Sequence, residues 1–479
     1  MTIAEIDTKA QGLFIDGAWR ESARTKQIVD RWTGETVAEV ALGSAEDARE
    51  AVDVAERVMR TGGLTKAVRA RILLDTAGIV RERAESFADA ITVETGKPIT
   101  ASRAEVARAV ETLTWAGEEA KRIAGEGVPL DGIASGEGTM AFTLPQPRGI
   151  VAAITPFNFP LNLLLHKVAP AIAAGCAVVL KPSEKSMLVA GLIVSAFQEA
   201  GLPAGWLNLL TGTPADVVEP WLEDPRVAVV TFTGSTGVGW GLKARSPRKL
   251  HILELGSNTA MVVTRTADLE RAASDALVAS LSNSGQACVS LQRLYVDRAV
   301  ADDLIAALSA KFEAAVVGDP HDEATLVGPM ITDHAAAALA ESIRSAVNAG
   351  ARLVRGGGVD RGMLQPTLLT DVDPDSPIVC EEAFGPVLSV IAVDGLDEAI
   401  TRVNASDYAL NTAIYTGDLS EALEFSRRAE AGSVLVNMPP SYRADHMPYG
   451  GVKDSGQGTE GVRYAIEELL HDKLVVLKP

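Results

Sequence analysis

Gly149-Ile150-Val151-Ala152-Ala153-Ile154-Thr155-Pro156-Phe157-Asn158-Phe159-Pro160 sets a continuous apolar run directly before a polar loop bracketed by two prolines. Such a run, bounded by Gly and Pro, reads as a buried strand. Four further runs follow, at Ala177–Leu180, Leu207–Leu210, Val227–Phe232 and Leu250–Leu255, with segments of helical spacing between them. The alternation predicts βαβ units, a parallel sheet and hence an α/β fold class. In such sheets ligands bind beyond the carboxyl ends of the strands. Each of the five runs ends in a chemically marked loop: Thr155–Pro160, Lys181-Pro182-Ser183-Glu184, Thr211-Gly212, Thr233-Gly234-Ser235-Thr236-Gly237-Val238-Gly239, and Glu254-Leu255-Gly256. That coincidence locates a candidate site.

Outward from this region, Leu13-Phe14-Ile15-Asp16-Gly17 reads as a short strand and turn. Ala45–Met59, Val68–Thr95 and Ala101–Ile123 carry apolar residues at three- and four-residue spacing, the mark of amphipathic helices. Glycine-rich Gly125–Gly138 ends the helical pattern and reads as an exposed hairpin arm leading into Thr139–Leu144. After Gly256 a second α/β unit is expected, with strands at Ala260–Val263, Arg293–Val296, Val387–Ala392, Thr412–Tyr415 and Ser433–Val436 and helices such as Ala301–Val316 and Ala335–Ala349. Lys473–Leu477 reads as a terminal strand.

With 479 residues, 47% of them hydrophobic, the chain is long enough for two or three domains with a large core. Its 63 acidic against 44 basic residues give a net charge of −19, which disfavours nucleic acid and anionic membrane surfaces as partners. Uncharged apolar runs such as Val168–Leu180 fall short of the roughly 18 residues that span a bilayer. Met1–Asp7 lacks the basic and apolar regions of a secretory signal, and three cysteines without CxxC spacing suit a reducing cytoplasm. The six histidines form no HxxxH or Cys/His cluster, so no metal is expected.

One of the three cysteines, Cys288, follows the small, polar turn Asn283-Ser284-Gly285-Gln286-Ala287, which would leave its sulfur accessible. A thiol reacts as the thiolate, whose free pKa is near ~8.5, so a catalytic cysteine needs a positive surround or a nearby base. Glu254, at the end of an apolar strand, is a candidate base, because desolvation raises a carboxyl toward the working range. A free cysteine is also an ordinary core residue, and the pair gains force only from the rest of the chain. Gly234-x-x-Gly237-x-Gly239 departs from the GxGxxG fingerprint, yet its small residues would let a pyrophosphate approach the helix starting near Thr236. Lys181 and Glu184 are either solvated turn charges or the grip on a ribose, with Glu184 accepting from its hydroxyls and repelling a 2′-phosphate.

Seven motifs, in order, resemble the NAD(P)-dependent aldehyde dehydrogenase superfamily over nearly the whole chain: Pro156–Pro160, Lys181–Glu184, Phe232–Thr236, Glu254–Gly256, Gly285–Cys288, Glu382–Pro386 and Pro448–Gly451. The resemblance implies a Rossmann-like cofactor domain at 1–124 and 148–256, a catalytic domain at 257–448, and a β oligomerisation arm with the C-terminal segment at 125–147 and 449–479. It implies that Cys288 attacks an aldehyde, that the Asn158 amide and the Cys288 N–H hold the oxyanion, and that Glu254 activates water against the thioester. It implies cofactor contacts from Thr155, Pro156, Phe157, Lys181, Ser183, Glu184, Phe232, Gly234, Ser235, Val238, Leu255, Glu382 and Phe384, with NAD expected over NADP because of Glu184. Phe157 stands where Trp is commoner before the asparagine, and Ser257-Asn258 replaces a frequent Gly-Lys.

Within the superfamily the sequence is most similar to lactaldehyde- and phosphonoacetaldehyde-dehydrogenase-like members, through Ile154–Asn158 and Tyr442-Arg443-x-Asp445-x-x-Pro448. Arg108 and Arg443 match basic positions that hold an anionic substrate in such members, whereas Ala287 and Phe159 depart from them. A short hydroxy- or carboxy-aldehyde is therefore the expected substrate. The alternatives are a CoA-acylating semialdehyde dehydrogenase, which by resemblance generally lacks the glutamate base, and a non-catalytic structural member. The arm at 125–147 and the strand Lys473–Leu477 expose edges that a partner would cover, which predicts a homodimer or homotetramer.

Overall fold

The computed structural model describes residues 12–478, so Met1–Asp7, read above for the lack of a secretory signal, lies outside the described residues. Among them, no helix is long and apolar enough to cross a membrane.

The five runs that begin at Ile150 form the middle of an eight-stranded sheet. Its order is Ala18–Arg20, Leu13–Ile15, Leu207–Leu209, Val178–Lys181, Ile150–Ile154, Val227–Thr233, Leu250–Glu254 and Gly456–Gln457. The central five strands are parallel, and the outer ones pair antiparallel. The chain leaves Ile150–Ile154 first toward Val178–Lys181 and later toward Val227–Thr233 on its other side, so the loop Thr155–Pro160 opens at a topological switch point, where α/β sheets bind ligands. All thirteen residues of the helix Asn162–Ala174 are buried against this sheet, which fits its almost uniformly apolar sequence.

The second α/β unit is a seven-stranded sheet ordered Arg352–Arg355, Thr367–Thr370, Val387–Val393, Arg293–Asp297, Ala260–Val263, Asn411–Tyr415 and Ser433–Val436. It is parallel except for the edge strand Arg352–Arg355. Sequence reading places five of its strands and overlooks two. Thr367–Thr370 is only four residues long, and Arg352–Arg355 is a half-exposed edge whose charged ends mask its pattern. The hairpin Thr25–Val29 with Thr36–Ala41 escapes because exposed polar residues such as Gln27 and Glu39 interrupt its strands, so neither writes a continuous apolar run.

The long helix expected over Val68–Thr95 is two helices, Lys66–Glu82 and Ala84–Thr95, broken at Arg83, whose ψ of 25° leaves the helical range. Apolar spacing carries through such a bend and does not reveal it. In the segment read as an arm, Met140–Pro147 is a strand, Val128 N donates to Ala141 O and Thr143 N donates to Glu126 O. That strand pairs over eight residues with Leu470–Leu477 of the same chain. Leu474, Val476 and Leu477 on the terminal strand are exposed, and the strand has no partner on its other edge among the described residues.

Candidate active site

Cys288 hangs from the second sheet, past a turn whose backbone is unusual. Asn283 (φ 52°), Ser284 (φ 54°) and Gly285 (φ 70°) are all left-handed, a region that costs most residues of order 1 kcal/mol or more. Side chains hold the turn in place. Asn283 Nδ2 donates to the carbonyls of Asn158 (3.0 Å) and Gln286 (3.1 Å), Ser284 Oγ donates to Gly328 O, and Gln286 Oε1 accepts from Ile331 N. Gly285 leaves room for no side chain, since a Cβ there would stand 2.1 Å from the Gly385 carbonyl oxygen.

Asn158 meets this turn from the first sheet, with Nδ2 donating to Gln286 O at 3.0 Å and its own Oδ1 buried without a partner. The loop is fixed from below. Glu105 accepts from the backbone N–H groups of Leu161 and Asn162, an N-terminal cap for the helix Asn162–Ala174, and forms a fully buried ion pair with Lys97. The Lys97 ammonium lies 3.9 Å from the centre of the Phe159 ring, a cation–π contact that accounts for the aromatic in the loop.

Cys288 Sγ lies 3.3 Å from the Tyr449 hydroxyl, in a cluster with Val289, Leu410 and Met447. That surround pushes the thiol up to about 11, against the opposing hydrogen bond from Tyr449. Glu254 ends the strand Leu250–Glu254, is 3% exposed, and has no hydrogen-bond partner on either carboxyl oxygen. Desolvation raises it well above the usual carboxyl range, and the nearby Glu460 adds to this, while Arg443 and Lys167 oppose. Glu460 is itself paired with Lys167 (2.9 Å) and Arg443 (3.0 Å).

The two arginines read as anion-binding are both met by carboxylates of the chain. Arg108 grips Asp445 with a two-point fork at 3.1 and 2.7 Å, and Arg443 pairs with Glu460 and stacks 3.7 Å over the Tyr449 ring. Burial alone would raise Asp445, but hydrogen bonds from His166 and Arg108 hold it below the ordinary carboxylate range. Lys167 and Glu460 escape sequence reading, and Tyr449 enters it only within the motif Pro448–Gly451, with no role assigned. The lysine sits in an apolar helix, and the other two reach the site only because the C-terminal segment crosses back, pairing Gly456–Gln457 with Leu253 and Glu254.

The remaining predicted residues surround the carboxyl edge of the first sheet. Lys181 is buried, its Nζ donating to Pro182 O at 3.1 Å, and Ser183 Oγ accepts from Lys185 N. Glu184 is not free: Lys26 from the overlooked hairpin pairs with it at 2.5 Å. Ser235 caps the helix Thr236–Arg245 with no side-chain bond of its own, and Val238 is half-exposed on the first turn. Gly234 and Gly239 pack where a Cβ would stand 2.4 Å from the Phe232 ring and 2.3 Å from Leu255. Pro156 is half-buried beside Thr155, and the buried Oγ1 atoms of Thr155 and Thr233 have no partner. Phe157 and Phe384 meet edge to face at 6.0 Å and line one cavity with Glu382. Burial pushes the Glu382 carboxyl up to about 7, although Ser257 N donates to it. Asn258 pins the loop after Val379, with Nδ2 donating to the Val379 and Cys380 carbonyls, so the Ser257-Asn258 departure has a structural use. Orphaned hydroxyls, a glycine-lined helix start and a lysine-rich strand end fit a dinucleotide.

A profile described as the aldehyde dehydrogenase family matches residues 19–475. The chain is 42% identical to the 3-sulfolactaldehyde dehydrogenase of Priestia aryabhattai, over 98% of each chain. It is 36% identical to the lactaldehyde dehydrogenase of Methanocaldococcus jannaschii, over 97% of this chain and 100% of that one. Among solved structures, the NADP-dependent glyceraldehyde-3-phosphate dehydrogenase of Bacillus halodurans, complexed with NADP, superposes with a TM-score of 0.95 at 32% identity, covering 97% of this chain and 98% of the other.

Proposed function

The chain belongs to the aldehyde dehydrogenase family and is an aldehyde-oxidising enzyme that uses a nicotinamide cofactor, and on that premise we propose that it oxidises short hydroxy-aldehydes to acids through a thioester on Cys288. The observation that carries this reading is the buried, unpartnered Glu254 carboxyl, near enough to the Cys288 thiol to act on it electrostatically. The Cys288 sulfur adds to the carbonyl carbon, and the oxyanion takes hydrogen bonds from the Asn158 amide and the Cys288 N–H. When bound, the oxidised nicotinamide supplies the acceptor for the hydride that the thiohemiacetal carbon gives up. Glu254, once ionised, takes a proton from water, and the hydroxide so formed releases the acid and returns the thiol.

The hydroxy-aldehyde assignment rests on the two relatives named above and on the pocket's charge. Arg108, Arg443 and Lys167 carry three positive charges against the two negative ones of their partners Asp445 and Glu460, an excess that suits a polar or singly charged substrate. A panel of hydroxy-, carboxy- and long-chain aldehydes, followed by reduced-cofactor formation with and without CoA, tests the reading. Best activity on long-chain or aromatic aldehydes would overturn the substrate class, and a requirement for CoA would favour the acylating alternative.

For the cofactor, Glu184 stands where a 2′-phosphate would enter; two like charges at about 4 Å repel by on the order of 4 kcal/mol at an effective dielectric near 20. That favours NAD. Lys26 offsets the charge of Glu184, and both groups are about a third exposed, which weakens the discrimination further. Lys26→Ala should lower kcat/KM for NADP about tenfold more than for NAD, because it removes a cation and frees the carboxylate at once. Equal changes for both cofactors would refute this.

Assembly is proposed through the open edge of Leu470–Leu477 with its exposed Leu474 and Val476, since uncovered apolar edges invite pairing. Light scattering should give a multiple of the 50.2 kDa chain mass, and a monomer would sink the idea. Three free thiols, one of them the proposed nucleophile, suit a reducing compartment such as the cytoplasm.

A further inference from the structure

Tyr449 is placed more exactingly than packing requires. Its ring fills an apolar cluster with Val289, Leu410 and Met447, a task that a phenylalanine would perform equally well. The hydroxyl lies 3.3 Å from Cys288 Sγ; Tyr449 is buried, and Cys288 is partly so. Above the ring, the Arg443 guanidinium stands 3.7 Å from its centre, and Arg443 is anchored in turn by Glu460.

Between a thiol and a phenol either group can donate. A thiolate can only accept, so ionisation fixes the direction of the bond and makes it a charge-assisted one. A cation over the ring face withdraws electron density from the phenol and makes its O–H a better donor. Resting on the reading of Cys288 as nucleophile, we propose that the Tyr449 hydroxyl, polarised by Arg443, donates a hydrogen bond to the Cys288 sulfur and so selects its reactive, ionised form. The other charged groups facing the sulfur are Glu254 and Glu382, which oppose ionisation, and Arg443, which favours it directly. Arg443 thereby has a use other than the grip on a substrate anion.

The test is the rate at which iodoacetamide alkylates Cys288, followed across pH by mass spectrometry of its peptide. A Cys380→Ser background removes the exposed thiol, while Cys176 is buried. Tyr449→Phe should raise the inflection of the profile by about one pH unit and slow alkylation about tenfold near neutral pH, the size expected for one lost charge-assisted bond. Glu254→Gln run alongside separates ionisation of the carboxyl from that of the thiol. Tyr449→Leu, a second hydroxyl-free variant, should shift the profile in the same direction. A profile coincident with the parent in either folded variant overturns the proposal. Alkylation does not depend on turnover: if Cys288→Ala still oxidised aldehydes while the Tyr449→Phe shift appeared, the nucleophile reading would fail and the hydrogen bond would stand.

Discussion

Cys288→Ala should produce no acid and no reduced cofactor from any aldehyde, whereas Glu254→Gln should yield one equivalent of reduced cofactor per site and then stall as a thioester. The asymmetry follows from chemistry: acylation needs the sulfur, and hydrolysis needs a base that can ionise. Stopped-flow absorbance separates the two, and full steady-state turnover in either variant would end the assignment. Burial raises the Glu254 carboxyl above its usual range, so its ionised fraction, and with it the hydrolytic step, grows as pH rises through a window above ordinary carboxylate values. That limb should vanish in Glu254→Gln. The same shift has a stability consequence of opposite sign. A carboxyl whose folded pKa lies above its unfolded value holds its proton more tightly when folded, so it favours the fold least at high pH, above both values. Glutamine carries no charge to bury, and Glu254→Gln should melt at or above the parent's temperature at pH 8.

Asn158→Ala should lower kcat by about 10² to 10³, with little change in KM, since on the proposed mechanism the donor it removes meets charge that develops only after the substrate is bound. The geometry supports a clean experiment. One amide N–H already donates to Gln286 O, and the Asn158 backbone carbonyl, which an alanine keeps, still accepts from Asn283. The turn carrying Cys288 therefore retains part of its support in the variant, and the alkylation rate of Cys288 reports whether it does. A loss confined to KM would show that Asn158 positions substrate and does not hold the oxyanion.

The sheets were legible because their strands are buried on both faces and so write continuous apolar runs; Ile150–Ile154 and Ala260–Val263 have the bounds read from sequence. The bend at Arg83 was not, because the helices on either side keep one apolar rhythm. Near Cys288 and Glu254 the motif residues announce themselves, each ending a strand or a glycine turn. What stays hidden is the company they keep. Lys26 reaches Glu184 across 158 positions, Lys167 reaches Glu460 across 293, and Arg108 spends its fork on Asp445 across 337. Ion pairs of that separation leave no local pattern, and their effect is to turn residues read as free binding groups into partners already engaged.

Cys288 and Glu254 are carried by different sheets, and Tyr449 and Glu460 by a third stretch that laces back onto the first. The two chemical half-steps thus have no smaller seat than the assembled chain. On the proposed mechanism, a fragment ending at Gly256 would possess the base with nothing to acylate, and its complement would possess a thiol with no means of deacylation. On that mechanism, changes that leave every named residue intact but alter how the two sheets meet should bear directly on turnover.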